Sequence, residues 1–230
     1  MVVLCLLGIS CSELDEDTLV GKTQQAWTKR EFGVWAAKYF DDPNIATLAY
    51  AYGLTNNFAY NLDDTDTRKF YYELYNTTDM YYWYDDNVAG TGWDTVEGVG
   101  NDTVDLVFAA THGGFTSSYA QWAMRPQNYF VHSYHMRLGD DGHNSILAVY
   151  ACNSMRDDAY LVNRWANAFY GGMRMGLGAH GNAGAGAGEA AIGTTFADSL
   201  QAGYKIWNAR GSAEPPCPRQ RIPASPWPLA

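Results

Sequence analysis

The chain has 230 residues, 47% of them hydrophobic and only 17% charged, which excludes a disordered polar chain and suits one domain, with or without tails, around a sizeable core. A formal net charge of -10 argues against a nucleic-acid partner, because phosphate binding needs basic patches and the only basic cluster, Arg219 to Arg221, is small. Aromatic residues reach 15%, with 17 Tyr and 8 Trp, a content that serves core and rim packing or a Tyr-rich groove.

In chain order, Val2 to Ile9 is a short apolar run followed by Ser10-Cys11-Ser12 and the acidic stretch Glu13 to Asp17. It resembles the end of a secretory or lipoprotein signal, with Cys11 where a lipid anchor would attach. A basic n-region is missing and the run is too short to span a bilayer, so no integral membrane span is expected and an ordinary buried strand is the alternative. Residues 1–18 are set apart as this signal-like segment and 19–56 as an N-terminal extension. The protein is secreted or in the cell envelope if the run is a signal, and cytoplasmic if it is not. Asn76-Thr-Thr and Asn101-Asp-Thr fit the glycosylation sequon.

The expected α/β domain covers 57–210. Asn57 to Leu62 is a short apolar run closed by Asp63-Asp64-Thr65-Asp66, which caps a helix expected over Asp66–Asn76. Met80 to Tyr84 is an aromatic strand candidate. Val104 to Ala110 (VDLVFAA) and Ile146 to Ala151 (ILAVYA) are continuous apolar runs of the kind that form buried strands. Asp157 to Tyr170 has helical spacing of Leu161, Trp165, Ala168 and Phe169, Met173 to Ala179 suits a further strand, and Glu189 to Ala209 suits a long closing helix. The stretch 211–230 holds six of the eight prolines and reads as a loosely attached tail. This order predicts an α/β fold, a mostly parallel central sheet with helices on both faces. Ligands of such sheets sit beyond the carboxyl ends of the strands.

The four cysteines stand at 5, 11, 152 and 217 without CxxC spacing, so neither a zinc site nor a disulfide scaffold is indicated, and only Cys152 lies in the expected core. It directly follows Ile146–Ala151, while Thr111-His112-Gly113-Gly114 directly follows Val104–Ala110. A thiol near neutral pH becomes a good nucleophile beside a base, and imidazole suits that role. Gly113 permits close backbone approach, and the N–H groups of Gly113 and Cys152 are candidates for an oxyanion hole.

The pairs His112-Gly113 and Ala151-Cys152, each ending a core strand, resemble those of the caspase–legumain–gingipain superfamily of cysteine peptidases, over roughly Asn57 to Arg210. The chain also looks like an uncharacterised bacterial branch of that superfamily. The resemblance implies a caspase-like fold and a cysteine endopeptidase with His112 and Cys152 as its dyad, acting on a peptide or protein substrate. It further implies P1 selection near the end of the first core strand, positions that correspond here to Asp63 and Asp64 and would favour a basic P1 residue. The alternative is a catalytically inactive secreted or surface binding domain of the same fold.

Competing motifs are weaker. His132-Ser-Tyr-His135 with His143 lacks an HExxH pattern and a well-spaced third ligand, so no metal site is assigned. Gly139-Asp-Asp-Gly-His143-Asn lacks the distal Glu of a calcium loop, and 181–188 lacks the GKS/T element of a phosphate loop. GxSxG is absent. The Cys–His chemistry needs no cofactor.

Overall fold

The computed structural model describes residues 31–63, 67–72, 80–84, 90–124, 130–184 and 187–202. The signal-like segment, Cys5, Cys11, Cys217, Asp64, Asn76 and the proline-rich tail lie outside them. The fold is α/β, built on a five-stranded, wholly parallel sheet. Its strands are β1 (Glu31–Ala36), β2 (Thr67–Tyr72), β3 (Leu106–Ala110), β7 (Ile146–Tyr150) and β8 (Met175–Gly178), in the order β2-β1-β3-β7-β8. A three-stranded antiparallel sheet of β4 (Gly113–Phe115), β5 (Ala120–Ala123) and β6 (Phe130–His132) leaves the chain directly after His112.

Side chains alternate across a strand, so each core strand feeds two layers. Phe32 and Val34 of β1, Leu106 and Phe108 of β3, and Ile146 and Ala148 of β7 face one layer with α1 (Ala51–Asp63) and α3 (Ala190–Gln201). Phe58 joins these elements, its ring 4.5 Å from Phe108 and 5.3 Å from Phe196. Trp35, Val107, Ala109, Leu147 and Val149 face the other layer, covered by α2 (Leu161–Trp165) and the small sheet. Trp83, Trp122 and Trp165 form its centre, with ring separations of 5.9 and 5.4 Å. Much of the aromatic content is thus core, and the alternation in VDLVFAA and ILAVYA is what makes both faces apolar.

Several elements differ from the sequence expectation. The sheet begins at Glu31, inside the stretch set apart as an N-terminal extension, and β1 lies between β2 and β3. Residues 57–62 belong to helix α1. The expected helix over Asp66–Asn76 is instead the strand β2 over Thr67–Tyr72, because Thr and three aromatics (TRKFYY) suit a sheet edge that can pair with β1. Met80–Trp83 is a 3₁₀ turn that seats Trp83 against Trp35 and Trp122. The helix expected from Asp157 forms only at Leu161–Trp165 and gives way to a 3₁₀ turn at Asn167–Phe169, since Asp158 ties the Tyr160 N–H in a local turn at 2.9 Å. Asn101 is fully buried with its Oδ1 accepting from Trp35 Nε1 at 2.8 Å, so this sequon is closed to glycan in the folded chain. Among the described residues no helix is long and apolar enough to cross a membrane.

Candidate functional site

The strand order reverses direction between β1 and β3, since the chain leaves β1 for β2 on one side and builds β3, β7 and β8 on the other. A crevice opens at the carboxyl ends of strands at such a switch point. The β3–β7 register aligns Ala110 with Tyr150, and the Thr111 N–H donates to the Tyr150 carbonyl at 3.2 Å. His112 and Cys152 each stand two residues beyond that last pair, and Gly113 packs against the Cys152 backbone. Both positions share the parity of Leu106 and Ile146, which directs them toward the α1/α3 layer. One cavity of about 100 Å³ is lined by both.

The loop after β1 holds the imidazole. Leu48 N–H donates to the Lys38 carbonyl at 2.9 Å, closing the loop so that Ala46 returns over the strand ends. His112 Nε2 lies 2.6 Å from the Ala46 carbonyl oxygen. A carbonyl only accepts, so Nε2 carries the proton and Nδ1 is left as the basic nitrogen. The Phe40 ring packs on the imidazole with centroids 5.2 Å apart.

The turn after β7 presents the thiol. Asn153 sits at φ 53, a left-handed conformation that Asn tolerates better than most residues, and this bends the chain sharply after Cys152. The turn is fastened to the segment after β8. Asn153 N–H donates to the Gly181 carbonyl at 2.7 Å, Met155 N–H to Ala179 at 3.0 Å, and Ser154 Oγ bridges the Val149 carbonyl and the Ala179 N–H. The Cys152 thiol is part-buried, 3.6 Å from the Ala183 carbonyl.

Gly113 is where the two strand ends meet. A Cβ there would lie 2.4 Å from the Cys152 carbonyl oxygen and 3.0 Å from its amide nitrogen, so only glycine permits this approach. Beyond it, the buried Arg164 guanidinium donates to the carbonyls of Thr116 at 2.7 Å and Arg156 at 3.0 Å and pairs with Asp158. Phe115 lies under Arg156 and Arg164 at 4.5 and 5.0 Å. This tie joins the His-bearing strand's extension to the loop following Cys152.

The rest of the cavity comes from the loop after β1, from the start of α1 and from the glycine-rich segment 181–188 with Glu189. Leu48, Tyr50, Ala51 and Leu54 form one wall, and Ala183, Gly184 and Glu189 another. The run Phe32-Gly-Val-Trp-Ala36 was the available signal, because a buried strand there brings the Ala46 loop to the site. Asp63 does not join it. The first core strand is β1, not 57–62, and α1 runs back along the sheet as a parallel crossover requires. Its last residue, Asp63, therefore stands roughly 18 Å of helix from Ala51 at the cavity. Asp64 lies outside the described residues.

His132 and His135 sit elsewhere, in a ring cluster with Tyr119, Tyr134 and Tyr84; their centroids are 5.8 Å apart. Burial holds both imidazoles below their ordinary value, and at His132 the neighbouring His135 adds to this. His180 is occupied as an acceptor, its Nδ1 taking the Asp157 N–H at 2.9 Å.

A family model described as a domain of unknown function, DUF6345, matches residues 34–215, about four-fifths of the chain. The chain belongs to that family. No curated protein and no solved structure matches it.

Proposed function

We propose that this member of the DUF6345 family is a cysteine endopeptidase of caspase-like fold, with Cys152 as nucleophile and His112 as general base and acid. The observation that carries the reading is that His112 and Cys152, which follow two neighbouring strands of the parallel sheet, line one cavity at a topological switch point. The Ala46 carbonyl takes the role of orienting group, because it fixes the tautomer that leaves Nδ1 basic. In the reaction, Nδ1 accepts the thiol proton as Sγ bonds to the scissile carbonyl carbon. The same proton passes to the leaving amine as the C–N bond breaks, giving a thioester. Water then attacks the thioester with His112 again taking a proton, and the C–S bond breaks to return the thiol. The Gly113 and Cys152 N–H groups are assigned to the oxyanion.

A second reading, a binding domain that keeps the fold without turnover, draws on the contact of the thiol with the Ala183 carbonyl, which gives sulfur a partner other than the imidazole. The two are separated by a peptide library and a thiol-reactive peptide probe. Turnover and labelling that vanish in Cys152→Ala support the peptidase. Equal rates for wild type and Cys152→Ala, with Cys152 unlabelled, sink it.

A further inference from the structure

We propose that the tyrosine and histidine cluster beside β6 is a binding platform for a neutral saccharide whose sugar ring has a flat, C–H-rich face, as in an all-equatorial glucan. None of its residues lines the Cys152 cavity, and it stands independently of the peptidase reading.

Five rings from four parts of the chain meet here. Tyr119 precedes β5, His132 ends β6, Tyr134 and His135 follow it, and Tyr84 comes directly after the turn that carries Trp83. Ring centroids are 4.4 Å apart for Tyr119 and His132, 5.1 Å for Tyr119 and Tyr134, 5.3 Å for His132 and Tyr134, and 3.9 Å for Tyr134 and His135. Tyr84 meets His135 edge-on at 4.9 Å. His135 is exposed, and Tyr134 is 42% exposed. His132 and His135 do not flank the Tyr134 ring, because their centroids are only 5.8 Å apart, far less than rings on its opposite faces would be. Tyr119 touches His132, so the neighbours gather on one side and the opposite face of Tyr134 is the open one.

The platform is held from beneath. Ser133 is fully buried, its Oγ accepting from the Ala120 N–H at 3.0 Å and donating to the Arg164 carbonyl. Asn167 Nδ2 donates to the Tyr134 carbonyl, and the Tyr84 hydroxyl donates to the Phe130 carbonyl at 3.0 Å. Rings fixed in this way lose little freedom when a ligand settles on them.

What the cluster offers and lacks defines the occupant. The negative face of an aromatic ring attracts weakly positive C–H groups, and phenol hydroxyls and imidazole nitrogens at the rim donate and accept hydrogen bonds. Burial holds both imidazoles below their ordinary value, and no carboxylate among the described residues contributes to either shift. A ligand recognised by its charge therefore finds no counter-charge here. Nucleobases also stack on aromatic rings, but their phosphates need a basic groove and this chain has a formal net charge of -10. Proline-rich segments dock in grooves between aromatic rings, and these rings touch one another. A pyranose with equatorial hydroxyls fits, since C–H bonds cover its faces and hydroxyls surround its edge.

The test titrates the full chain calorimetrically with cellohexaose, polygalacturonate and a proline decamer. Cellohexaose is expected to bind in the submillimolar range. Tyr134→Ala is expected to weaken it about ten-fold, the scale of one lost aromatic stack, with an unchanged urea midpoint because the ring lies at the surface. Tyr160→Ala removes a tyrosine outside the cluster that is 50% exposed and is expected to bind as the wild type does. Absence of cellohexaose binding at millimolar concentration, affinity that survives Tyr134→Ala, an equal loss in Tyr160→Ala, or tighter binding of polygalacturonate or the proline decamer overturns the assignment. Labelling of Cys152 by a thiol-reactive probe reads the peptidase site separately, so either proposal fails without the other.

Discussion

The contact between Gly113 and Cys152 is a backbone constraint on the site itself. A methyl group at 113 meets backbone on the opposite strand, which cannot rotate away as a side chain can. Gly113→Ala is therefore expected to push the ends of β3 and β7 apart and lower kcat/KM about 100-fold, the scale of an ångström-sized misplacement. Steady-state kinetics with a near-wild-type melting curve would be the informative outcome; unchanged kcat/KM counts against the geometry. At Arg164, which is 1% exposed, the guanidinium relies on Asp158 for its counter-charge. Arg164 is buried but Asp158 is part exposed, so Asp158→Ala removes a charge-assisted hydrogen bond and is expected to cost about 1.5–3 kcal/mol in urea unfolding. A loss below about 0.5 kcal/mol would show that the Thr116 and Arg156 carbonyls suffice. His112 and Cys152 were legible in the sequence because each directly follows a continuous apolar run. Glu189 was not, since a glutamate after a glycine-rich loop reads as an ordinary helix start, and only the cavity and the closeness of Gly184 distinguish it.

At the scale of elements, α1, which walls the cavity, and α3 approach each other through Gly193. A Cβ there would stand 2.0 Å from the Leu54 carbonyl oxygen, while Asn57 Nδ2 donates to the Ala190 carbonyl at 2.9 Å. Gly193→Ala is expected to separate α1 from α3 at the cost of about 1–3 kcal/mol, the usual penalty of overpacking, read as a lowered urea midpoint. An unchanged midpoint would mean the helices slide without loss. The apolar strands β3 and β7 were readable because a strand buried on both faces is apolar throughout. The strand β1 and helix α1 were misread for a physical reason. Residues 57–62 show an apolar cluster too short to reveal a helical period, and the glycine in Glu31–Ala36 weakens its strand signal. The small antiparallel sheet escaped notice because Gly113–Phe115 carries little β propensity. What holds it is pairing with β5 and the Thr116 turn, whose hydroxyl accepts the Ser118 and Tyr119 N–H groups at 3.1 Å.

Across the whole molecule the two ends of the parallel sheet differ in what they carry. The carboxyl edge carries His112, Cys152 and the cavity, while the opposite edge carries a buried carboxylate network. Asp102 accepts from the Gly139 N–H at 3.0 Å and from the Asp140 N–H at 3.1 Å, and burial, opposed by these donors and aided by the Asp140 charge, raises it from 3.8 to about 7. In the unfolded chain the group ionises near the ordinary value, so between about pH 4 and 7 the folded state binds more protons. This contribution is fully present below that range and is lost as pH rises through 7. The urea midpoint of the wild type is expected to fall between pH 5 and 8 by a margin worth a few kcal/mol, and Asp102→Asn to flatten that slope. A slope identical in both proteins would remove Asp102 as its source.

The proposed pairing of His112 with Cys152 is tested most directly by how fast iodoacetamide alkylates Cys152 at pH 6.5 in the wild type and in His112→Ala. If the imidazole takes the thiol proton, the wild type reacts at least ten-fold faster than the variant, and both proteins react at the same rate once unfolded in urea. Equal rates in the two folded proteins would contradict the dyad, and with it the reading of the cavity as a peptidase site.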